Sequence, residues 1–486
     1  MTAPPSLSLS SEEPLVDGIV RWWQARIDDR IVRPGTRLPS IRGFAADKRV
    51  SRHTVVEAYE RLAELGYVEA RRGSGFYVRA RAAPAPALRP SRGASAPDSR
   101  IDVAWLLRSM FRDLPHDRMP GGGLFPPDWL DSALIARSAR GVTRTAKRSW
   151  LAYGTPQGYL PLRQQLSLKL SALEIPAEPE QIVTTAGVTH AIDLVARHFL
   201  RPGDAVFVDD PAWFVMFARF AMLGARVIGV PRRADGPDLE ALRGLLVAHR
   251  PKVFVLSSVL HNPTGTSMTA ANAYAVLQLA EEHGVTLVED DIYGDLSPDA
   301  TPHPPARLAA LRLAALDRRR RVIYVGGFSK TLAANLRVGY LVAPPELALA
   351  LADQKLLGAL TTPEFGERVI ARVLIERRYA RHCAGLRANL DAARTTVLAR
   401  LRKLGARVFA EDAQGMFLWA DLGTDTNALA TRLFDAGYLA APGSLFCPSQ
   451  LPSTWMRFNV ASSQNPAMWR ALQKALADGP IRSVGR

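Results

Sequence analysis

The sequence predicts a multidomain protein: a small helical module closed by a β-hairpin, then a large α/β domain with a mostly parallel sheet and a smaller C-terminal α+β part. Length supports this, because 486 residues exceed what a single hydrophobic core usually organises. The pattern also changes along the chain, from helical periodicity over 12–79 to strands alternating with helices over 119–479. Between them, residues 80–118 are rich in Ala, Pro and Arg, which is typical of a linker.

The charge, the cysteine content and the apolar stretches of the sequence indicate which kind of partner the protein binds and in which cellular compartment it works. The net charge of +16 favours an anionic partner such as nucleic acid or a phosphorylated ligand, although a GC-rich genome that prefers Arg gives the same excess. Residues 71–118 alone carry ten Arg against four Asp. The two cysteines, Cys383 and Cys447, lie far apart and predict neither a disulfide framework nor a zinc site. No stretch approaches the ~18 apolar residues of a membrane helix, so we expect a cytoplasmic protein.

The N-terminal module reads as consecutive capped helices. Ser40, after a proline, can cap one helix, and Ser51 can cap a second helix from Arg52 to Leu65. Val50 and Val55 have the spacing of a hydrophobic staple around that cap. The buried stripe of the second helix is predicted to consist of Val55, Tyr59 and Leu62. The polar residues of its first turn are Arg52, His53 and Thr54.

A hairpin follows the second helix. Gly66 ends the helix, and the strands 67–70 and 76–78 flank an Arg-Arg-Gly-Ser-Gly tip at 71–75. Arginines on a Gly-rich tip suit phosphate or minor-groove contact, and a polar first helical turn suits base reading. Taken singly, each of these features is also common on a solvent-exposed surface. The order in which the capped helices and the hairpin follow each other is more specific for a DNA-binding module.

With PGTRLPS at 34–40 and GSGFYV at 73–78, the module resembles the winged helix-turn-helix of GntR-type regulators. The resemblance covers about 65 residues. It implies that double-stranded DNA is bound, although it does not identify the operator sequence. The residues that it places on DNA are Arg42, Ser51, Arg52, His53, Thr54, Arg71, Arg72 and Gly73.

The large domain contains short continuous apolar runs of the kind buried on both faces of a parallel sheet. These runs are 182–185, 205–208, 253–256, 286–289 and 322–325. From about Glu364 helices dominate before a few late strands, which predicts the smaller part over 364–479.

Residues that suit pyridoxal phosphate follow these runs, at the sheet edge where α/β proteins bind ligands. Lys330, in GGFSKT at 326–331, can react with the aldehyde. Asp290 can pair with a protonated ring nitrogen, and Tyr293 and Asn262 can reach the phenolic oxygen. Each has an ordinary alternative: a solvated lysine, a helix cap, a packed tyrosine and a β-turn in HNPTG at 261–265.

Further residues suit the phosphate of the cofactor, the face of its ring and the carboxylate of a ligand. The turn Gly187-Val188-Thr189 precedes a helix predicted from His190 to Leu200, whose N-terminus favours an anion. Arg337 can clamp the same phosphate, and Trp213 can stack on the ring or simply pack in the core. Arg457 lies on the apolar run 455–459, where a charge requires a carboxylate from the protein or from a ligand.

In this order the motifs make residues 119–479 resemble fold-type-I aminotransferases, which bind pyridoxal 5′-phosphate. The resemblance implies a Schiff base on Lys330, and it implies the other roles just described, with Arg457 on the ligand's carboxylate. Tyr153, in YGTPQG at 153–158, matches the tyrosine that reaches the cofactor phosphate of the neighbouring subunit, which implies a homodimer. Gly327 stands where relatives have Ser or Thr, and Thr189 where many related regulators have Gln, so phosphate affinity is in doubt.

Together the two halves resemble the bacterial MocR regulators, including the GabR type. This implies a head-to-tail dimer that senses an amine, an amino acid or pyridoxal phosphate itself through an internal aldimine on Lys330. An active aminotransferase with an incidental N-terminal module remains the alternative. A third hypothesis is a cofactor domain that only dimerises the N-terminal module. The effector, the operator and the sign of regulation are not encoded in any recognisable motif.

Overall fold

The computed structural model describes residues 14–28, 32, 34–71, 74–79, 114–145, 151–297, 311–317 and 321–478. The chain divides into two compact units, Met1–Asp98 and Ser99–Arg486. Arg72 and Gly73, and residues 80–113 of the predicted linker, lie outside the described residues. Within the described ranges, no helix is both long enough and apolar enough to span a membrane.

The described residues of the small unit, called the reader below, form three helices and one hairpin. Both predicted caps are confirmed: the Ser40 hydroxyl accepts the Gly43 N–H, and the Ser51 hydroxyl accepts the Thr54 N–H. The elements are α1 (Leu15–Asp28), α2 (Ile41–Lys48), α3 (Arg52–Glu64), β1 (Val68–Arg71) and β2 (Gly75–Val78).

The reader closes around one aromatic core. The predicted stripe of α3 is confirmed, since Val55, Tyr59 and Leu62 are fully buried. Val50 packs against the same cluster, as the staple predicts. Gly66 has a φ of +74° just after α3, a conformation that glycine adopts without strain.

The large unit begins with a pair of helices and a run of strand–helix units. The predicted strands are confirmed, each within two residues of its predicted end. Its first elements are α4 (Ser132–Thr145), α5 (Leu160–Ser171), β3 (Ile182–Thr185), α6 (Val188–Phe199), β4 (Ala205–Asp210), α7 (Phe214–Met222), β5 (Arg226–Arg233), β6 (Gly236–Pro237), α8 (Leu239–His249) and β7 (Val253–Leu256). They continue with α9 (Ala270–Glu282), β8 (Thr286–Asp290), α10 (Leu313–Leu316), β9 (Val322–Gly327) and β10 (Gly339–Val342).

These strands form one eight-stranded sheet in the order β3-β10-β9-β8-β7-β4-β5-β6. The pairs β9/β8, β8/β7, β7/β4 and β4/β5 are parallel, whereas β10 is antiparallel to both of its neighbours. The four central strands β9, β8, β7 and β4 therefore end at the same edge, and the turns after them meet there. Helix α6 begins at Val188, two residues before the predicted start at His190, so the phosphate turn includes its first turn.

Three helices lead into a second, antiparallel sheet in the order β11-β12-β14-β13. Its register places Trp419 opposite Arg457. The apolar side of α12 lies in the core of the large sheet, with Ile370 and Val373 fully buried. The elements are α11 (Pro345–Ala359), α12 (Glu364–Ile375), α13 (Tyr379–Lys403), β11 (Arg407–Val408), β12 (Phe417–Asp421), α14 (Thr426–Asp435), β13 (Ala441–Pro442), β14 (Trp455–Asn459) and α15 (Pro466–Ala477).

A segment of turns and bends, residues 119–125, is bound to this second sheet; we call it the strap. The Gly121 N–H donates to the Leu439 carbonyl at 2.9 Å, and the Asn459 N–H donates to the Pro120 carbonyl at 2.8 Å. The Asn459 side-chain amide also donates to the carbonyls of Gly122 and Leu124. The strap is thus bound through its backbone, which leaves its remaining carbonyls available to the neighbouring site.

Candidate functional site

The turns that follow the central strands surround one cavity. Eight of the residues predicted from the sequence line it, namely Val188, Thr189, Trp213, Asn262, Asp290, Tyr293, Lys330 and Arg337. Residues of the lining that the sequence did not single out include Asp209, Met216, Ser257, His261, Ile292 and Ser329. The topology therefore brings together side chains that are far apart in sequence, such as Val188 and Arg337, which are separated by 149 positions.

Lys330 lies in a turn three residues beyond the end of β9. Its Nζ donates to the Gly123 carbonyl of the strap at 2.8 Å. Burial, followed by the nearby Arg457 and Arg337 cations, lowers the pKa of this amine to about 8. A substantial fraction of the amine is therefore neutral near physiological pH, which is the form that attacks a carbonyl carbon.

Asp290 is the last residue of β8, and its Oδ1 accepts the Ile292 N–H at 3.2 Å. Burial raises the pKa of this carboxyl to about 7, and the neighbouring Asp291 adds to the rise. A cation placed against Asp290 would have the opposite effect, because it stabilises the carboxylate. The site is thus built to favour a positively charged group at this position.

Tyr293 and Asn262 approach the cavity from two neighbouring turns. Burial raises the pKa of the Tyr293 phenol, so the hydroxyl keeps its proton and remains a donor. The Asn262 Oδ1 accepts from Arg457 Nη1 at 2.8 Å. Because this bond uses the amide oxygen, it orients the Asn262 NH₂ group as the free donor.

The N-terminus of α6 forms a backbone cradle. Gly187, with φ of +85°, precedes the helix, and the N–H groups of its first turn, including Val188 and Thr189, have no acceptor within the helix. Arg337 closes the cradle by donating from Nη2 to the Ala186 carbonyl at 2.9 Å. A Cβ on Gly187 would lie 2.6 Å from that same nitrogen, so a larger residue would displace the guanidinium.

Arg457 lies behind Asn262 and is only 3% exposed. Besides Asn262, its guanidinium donates to the Gly121 carbonyl of the strap at 2.5 Å, while Nε has no hydrogen-bond partner in the part of the chain that the structure describes. The rings of Phe417 and Phe446 stand 4.3 and 4.8 Å from its central carbon. Burial lowers the pKa of this guanidinium to about 10, and among the described residues no carboxylate forms an ion pair with it. A buried cation with neutral partners attracts an anionic ligand.

Tyr153 is not part of the cavity. It is 80% exposed and lies in a separate surface depression with Glu364 and Arg368. The predicted contact with a neighbouring subunit therefore stays a prediction.

The sequence did not predict two features, one in the cavity wall and one beside the cavity. Asp209 is buried with Arg232, whose Nη1 is 3.1 Å from its Oδ2, and His261 Nε2 is 3.6 Å from the same oxygen. Burial lowers the pKa of His261 well below its usual value, so the ring is neutral. The strap is the second feature, and the glycine run 121–123 is the signal that could have found it, because glycines permit close backbone approach.

In the reader, the predicted contact residues Arg42, Arg52 and His53 are exposed at the starts of α2 and α3. Ser51 and Thr54 stabilise the start of α3, because their hydroxyls form a hydrogen bond with each other at 2.8 Å within the cap. Arg71 also has partners: it pairs with Glu69 at 2.6 Å and covers the Tyr77 ring. Arg72 and Gly73 lie outside the described residues.

The fold and the cavity define a fold-type-I architecture of the kind that binds pyridoxal phosphate, joined in one chain to a winged-helix reader. Two family models match the sequence. Residues 17–78 match "Bacterial regulatory proteins, gntR family", and residues 126–475 match "Aminotransferase class I and II".

Three similar proteins extend this comparison. The uncharacterized HTH-type transcriptional regulator YdcR of Escherichia coli is 29% identical over 446 residues, 90% of this chain and 92% of that protein. The probable rhizopine catabolism regulatory protein MocR of Rhizobium meliloti is 29% identical over 324 residues, 65% of this chain and 63% of that protein. The crystal structure of LysN, the α-aminoadipate aminotransferase of Thermus thermophilus, superposes with a TM-score of 0.68 at 26% identity, covering 76% of this chain and 95% of that one.

This chain belongs to the aminotransferase class I and II family, which is pyridoxal-phosphate dependent, and with its gntR-type reader it has the organisation of MocR-type HTH transcriptional regulators. The LysN structure contains N-(5′-phosphopyridoxyl)-L-leucine, a cofactor joined to an amino acid.

Proposed function

We propose that this protein is a transcription regulator that binds pyridoxal 5′-phosphate and responds to an amino acid or related amine. One observation carries the proposal: Lys330, Asp290, Tyr293 and Asn262 converge on one cavity in a chain that also contains a gntR-type reader. A protein that used the large domain only as a dimerising scaffold would not need this set of buried groups.

The residues present fit the cofactor. Lys330 supplies an amine with lowered pKa for the aldehyde, and Asp290 supplies a buried carboxyl that a cationic ring nitrogen would ionise. The Gly187 turn at the start of α6 and the Arg337 guanidinium would hold the phosphate. Tyr293 and Asn262 would donate to the phenolic oxygen, and Trp213 would cover one face of the ring.

When bound, pyridoxal phosphate supplies an aldehyde carbon for reversible exchange between amines and a ring that withdraws electrons. The chain's own groups decide which amine is accepted. Lys330 gives and receives the proton at its Nζ, since its pKa lies close to the working pH. Arg457 is buried, with no carboxylate paired to it among the residues that the structure describes, so it selects ligands that carry a carboxylate or sulfonate beside their amine.

The strap offers a route from ligand binding to conformation. Lys330 and Arg457 both donate to strap carbonyls, at Gly123 and Gly121. A ligand anion competes with the Gly121 carbonyl for Arg457, and reaction of Lys330 removes its proton donor from Gly123. The strap follows the linker in sequence, so its release is well placed to alter the reader. A coupling of ~1–3 kcal/mol between ligand and DNA binding suffices for a useful response.

The reader would contact double-stranded DNA through Arg42, Arg52 and His53, with Ser51 and Thr54 fixing the start of α3 and Arg71 next to the wing tip. A homodimer, with Tyr153 directed to the second copy, would present two readers to two half-sites. A regulator that binds bacterial DNA would be located in the cytoplasm.

A gel-shift assay on the DNA upstream of the protein's own gene tests the proposal. It is run with and without pyridoxal phosphate and with a panel of amino acids, for the natural chain and for Lys330→Ala. We expect ligand-dependent binding in the natural chain and a blunted response in the variant. An identical response in both would overturn the scheme.

A working aminotransferase is the second candidate, favoured by the completeness of the cavity and by the likeness to LysN. It predicts fast amino-group transfer to a keto acid. Fast transfer together with no DNA binding under any condition would establish this alternative in place of regulation.

A further inference from the structure

A single phenol joins the two turns that carry Lys330 and Tyr293. The Tyr379 hydroxyl, at the start of α13, donates to Asp295 Oδ2 at 2.5 Å. Because that proton is used, the Thr331 hydroxyl donates to the Tyr379 oxygen, at 2.7 Å. Thr331 directly follows Lys330, and Asp295 lies two residues after Tyr293, so one oxygen bridges both turns.

Other side chains hold the same two turns. The His382 Nε2–H donates to the Thr331 carbonyl at 2.6 Å, and Arg387 donates to the Asp295 carbonyl at 2.9 Å. Both residues belong to α13, as Tyr379 does. From the opposite side, Lys169 pairs with Asp295 Oδ1 at 2.7 Å. The first turns of α13 therefore act as a clamp on the two turns.

Regular secondary structure does not provide this restraint. Residues 329–332 form turns between β9 and a short 3₁₀ segment, and the Leu332 N–H closes them by donating to the Phe328 carbonyl at 2.9 Å. Phe328, at the start of these turns, packs edge-on against the Tyr379 ring with centroids 5.5 Å apart. The backbone bond shapes the turn around Lys330, and Tyr379 and His382 of α13 fix that turn to the rest of the domain through Thr331.

We propose that Tyr379 is a positioning residue for the amine of Lys330: through Thr331 and Asp295 it fixes where that amine sits relative to the Tyr293 phenol and the Arg457 and Arg337 cations. This inference rests on the proposed function, since it concerns the bond between Lys330 and pyridoxal phosphate. Tyr379 touches neither the cofactor nor a ligand.

The proposal has a spectroscopic consequence. Burial, followed by the nearby Arg457 and Arg337 cations, disfavours the protonated form of the free Lys330 amine, and the same surroundings would act on this nitrogen when the cofactor is attached. A loosened turn would let the protonated nitrogen move away from these cations, so it would hold its proton to higher pH. The visible absorbance band of the lysine-bound cofactor reports this protonation directly.

The test is a pH titration of that band in the full-length protein loaded with pyridoxal phosphate. We expect Tyr379→Phe to raise the titration midpoint by about 0.5–1 pH unit, an ordinary size for the loss of a local restraint on charge. Thr331→Val, which removes the bond between Thr331 and the Tyr379 oxygen, should also raise the midpoint, by no more than Tyr379→Phe does. The double variant should match Tyr379→Phe, because that variant already lacks the bond to Thr331 as well as the bond to Asp295. Thr331→Ser keeps the hydroxyl and should restore the natural midpoint.

Tyr340→Phe is the matched control, because Tyr340 is a buried tyrosine of the same aromatic cluster that does not bond to Thr331. If the bridging variants move the midpoint no more than this control, or if their shifts add, the positioning role is refuted. Should Tyr379→Phe fail to fold, Thr331→Val and Thr331→Ser decide the question alone. A natural chain that never forms the band would refute the proposed function instead, which separates the two failures.

Discussion

The Nζ of Lys330 donates to the carbonyl oxygen of Gly123 at 2.8 Å, so the strap holds the most reactive amine of the cavity. The same strap accepts from the buried Arg457 through Gly121 at 2.5 Å. The amine that would react with the cofactor and the guanidinium that would pair with a ligand anion are therefore both occupied by backbone carbonyls, two residues apart. Reaction at the first and anion binding at the second both act on one segment.

The lowered pKa of Lys330 gives capture of pyridoxal phosphate a defined pH dependence. Only the neutral amine attacks the aldehyde, so the capture rate should rise roughly tenfold per pH unit well below pH 8 and level off above it. Stopped-flow absorbance measures this rate. Lys330→Ala should show no visible band, whereas Lys252→Ala, which removes a surface lysine that pairs with Asp204, should behave as the natural chain. A plateau beginning only near pH 10 would contradict the burial of this amine.

Gly121→Ala should dislodge the strap. A Cβ at this position would lie 2.3 Å from the Ala441 amide nitrogen and 2.5 Å from the Ala440 carbonyl carbon, and backbone atoms cannot rotate away. We expect an overpacking cost of about 1–3 kcal/mol and faster hydrogen exchange of amides in 119–125. Gly358→Ala is the control, since open space surrounds that glycine in α11. Unchanged exchange in the strap would show that Gly121 does not anchor it.

Asp290 should make the cofactor-free chain less stable as the pH rises. Its folded pKa, about 7, lies above the unfolded value near 4, so between these values the native state binds more protons than the unfolded state. Stability then falls with pH, by up to ~1.4 kcal/mol per unit, through the window from about 4 to 7. Asp290→Asn should flatten this slope in urea titrations at several pH values. Pyridoxal phosphate should also reduce it in the natural chain, because a cationic ring nitrogen favours the carboxylate.

Arg457→Gln should separate ligand selection from cofactor binding. The variant keeps hydrogen-bonding groups near Asn262 but removes the buried charge, so a carboxylate loses a charge-assisted pair worth about 1.5–3 kcal/mol, or roughly 10- to 150-fold in affinity. Displacement of the visible band by an amino acid and by the corresponding amine without a carboxylate measures this. The amino acid should lose its advantage while the amine is unaffected. Equal weakening of both would indicate general disruption of the site.

The sequence was most informative where chemistry depends on residue type next to a strand. Lys330, Asp290 and Asn262 each follow a continuous apolar run, and a parallel sheet brings the ends of such runs together. The order of the motifs along the chain supplied the GntR and aminotransferase resemblances. The reader caps at Ser40 and Ser51 were predictable because capping is a local interaction between a hydroxyl and amides three residues ahead.

Long-range contacts made by the backbone were not predictable. The glycine run 121–123 indicates a close backbone approach, but it does not identify Arg457 and Lys330, more than 200 positions away, as the partners of the Gly121 and Gly123 carbonyls. The Tyr379 bridge is similar, because a tyrosine at a helix start has no spacing that points to Thr331 or Asp295. The start of α6 at Val188 was missed since glycine at 187 gives a helix no side-chain cap to recognise.

In the reader, Arg52 and Ser51 should separate DNA contact from stability although they are adjacent. Arg52 is exposed, so Arg52→Ala should leave the free energy of unfolding within about 0.5 kcal/mol while weakening operator binding by about 1–3 kcal/mol. Ser51 accepts the Thr54 N–H at 3.0 Å, so Ser51→Ala should cost about 1 kcal/mol of stability. Fluorescence anisotropy with labelled operator at two salt concentrations, together with urea unfolding, distinguishes the two effects. Arg226→Ala, which removes an equal charge from the large unit, is the control for net charge; if it weakens binding as much as Arg52→Ala does, α3 has no specific role in reading DNA.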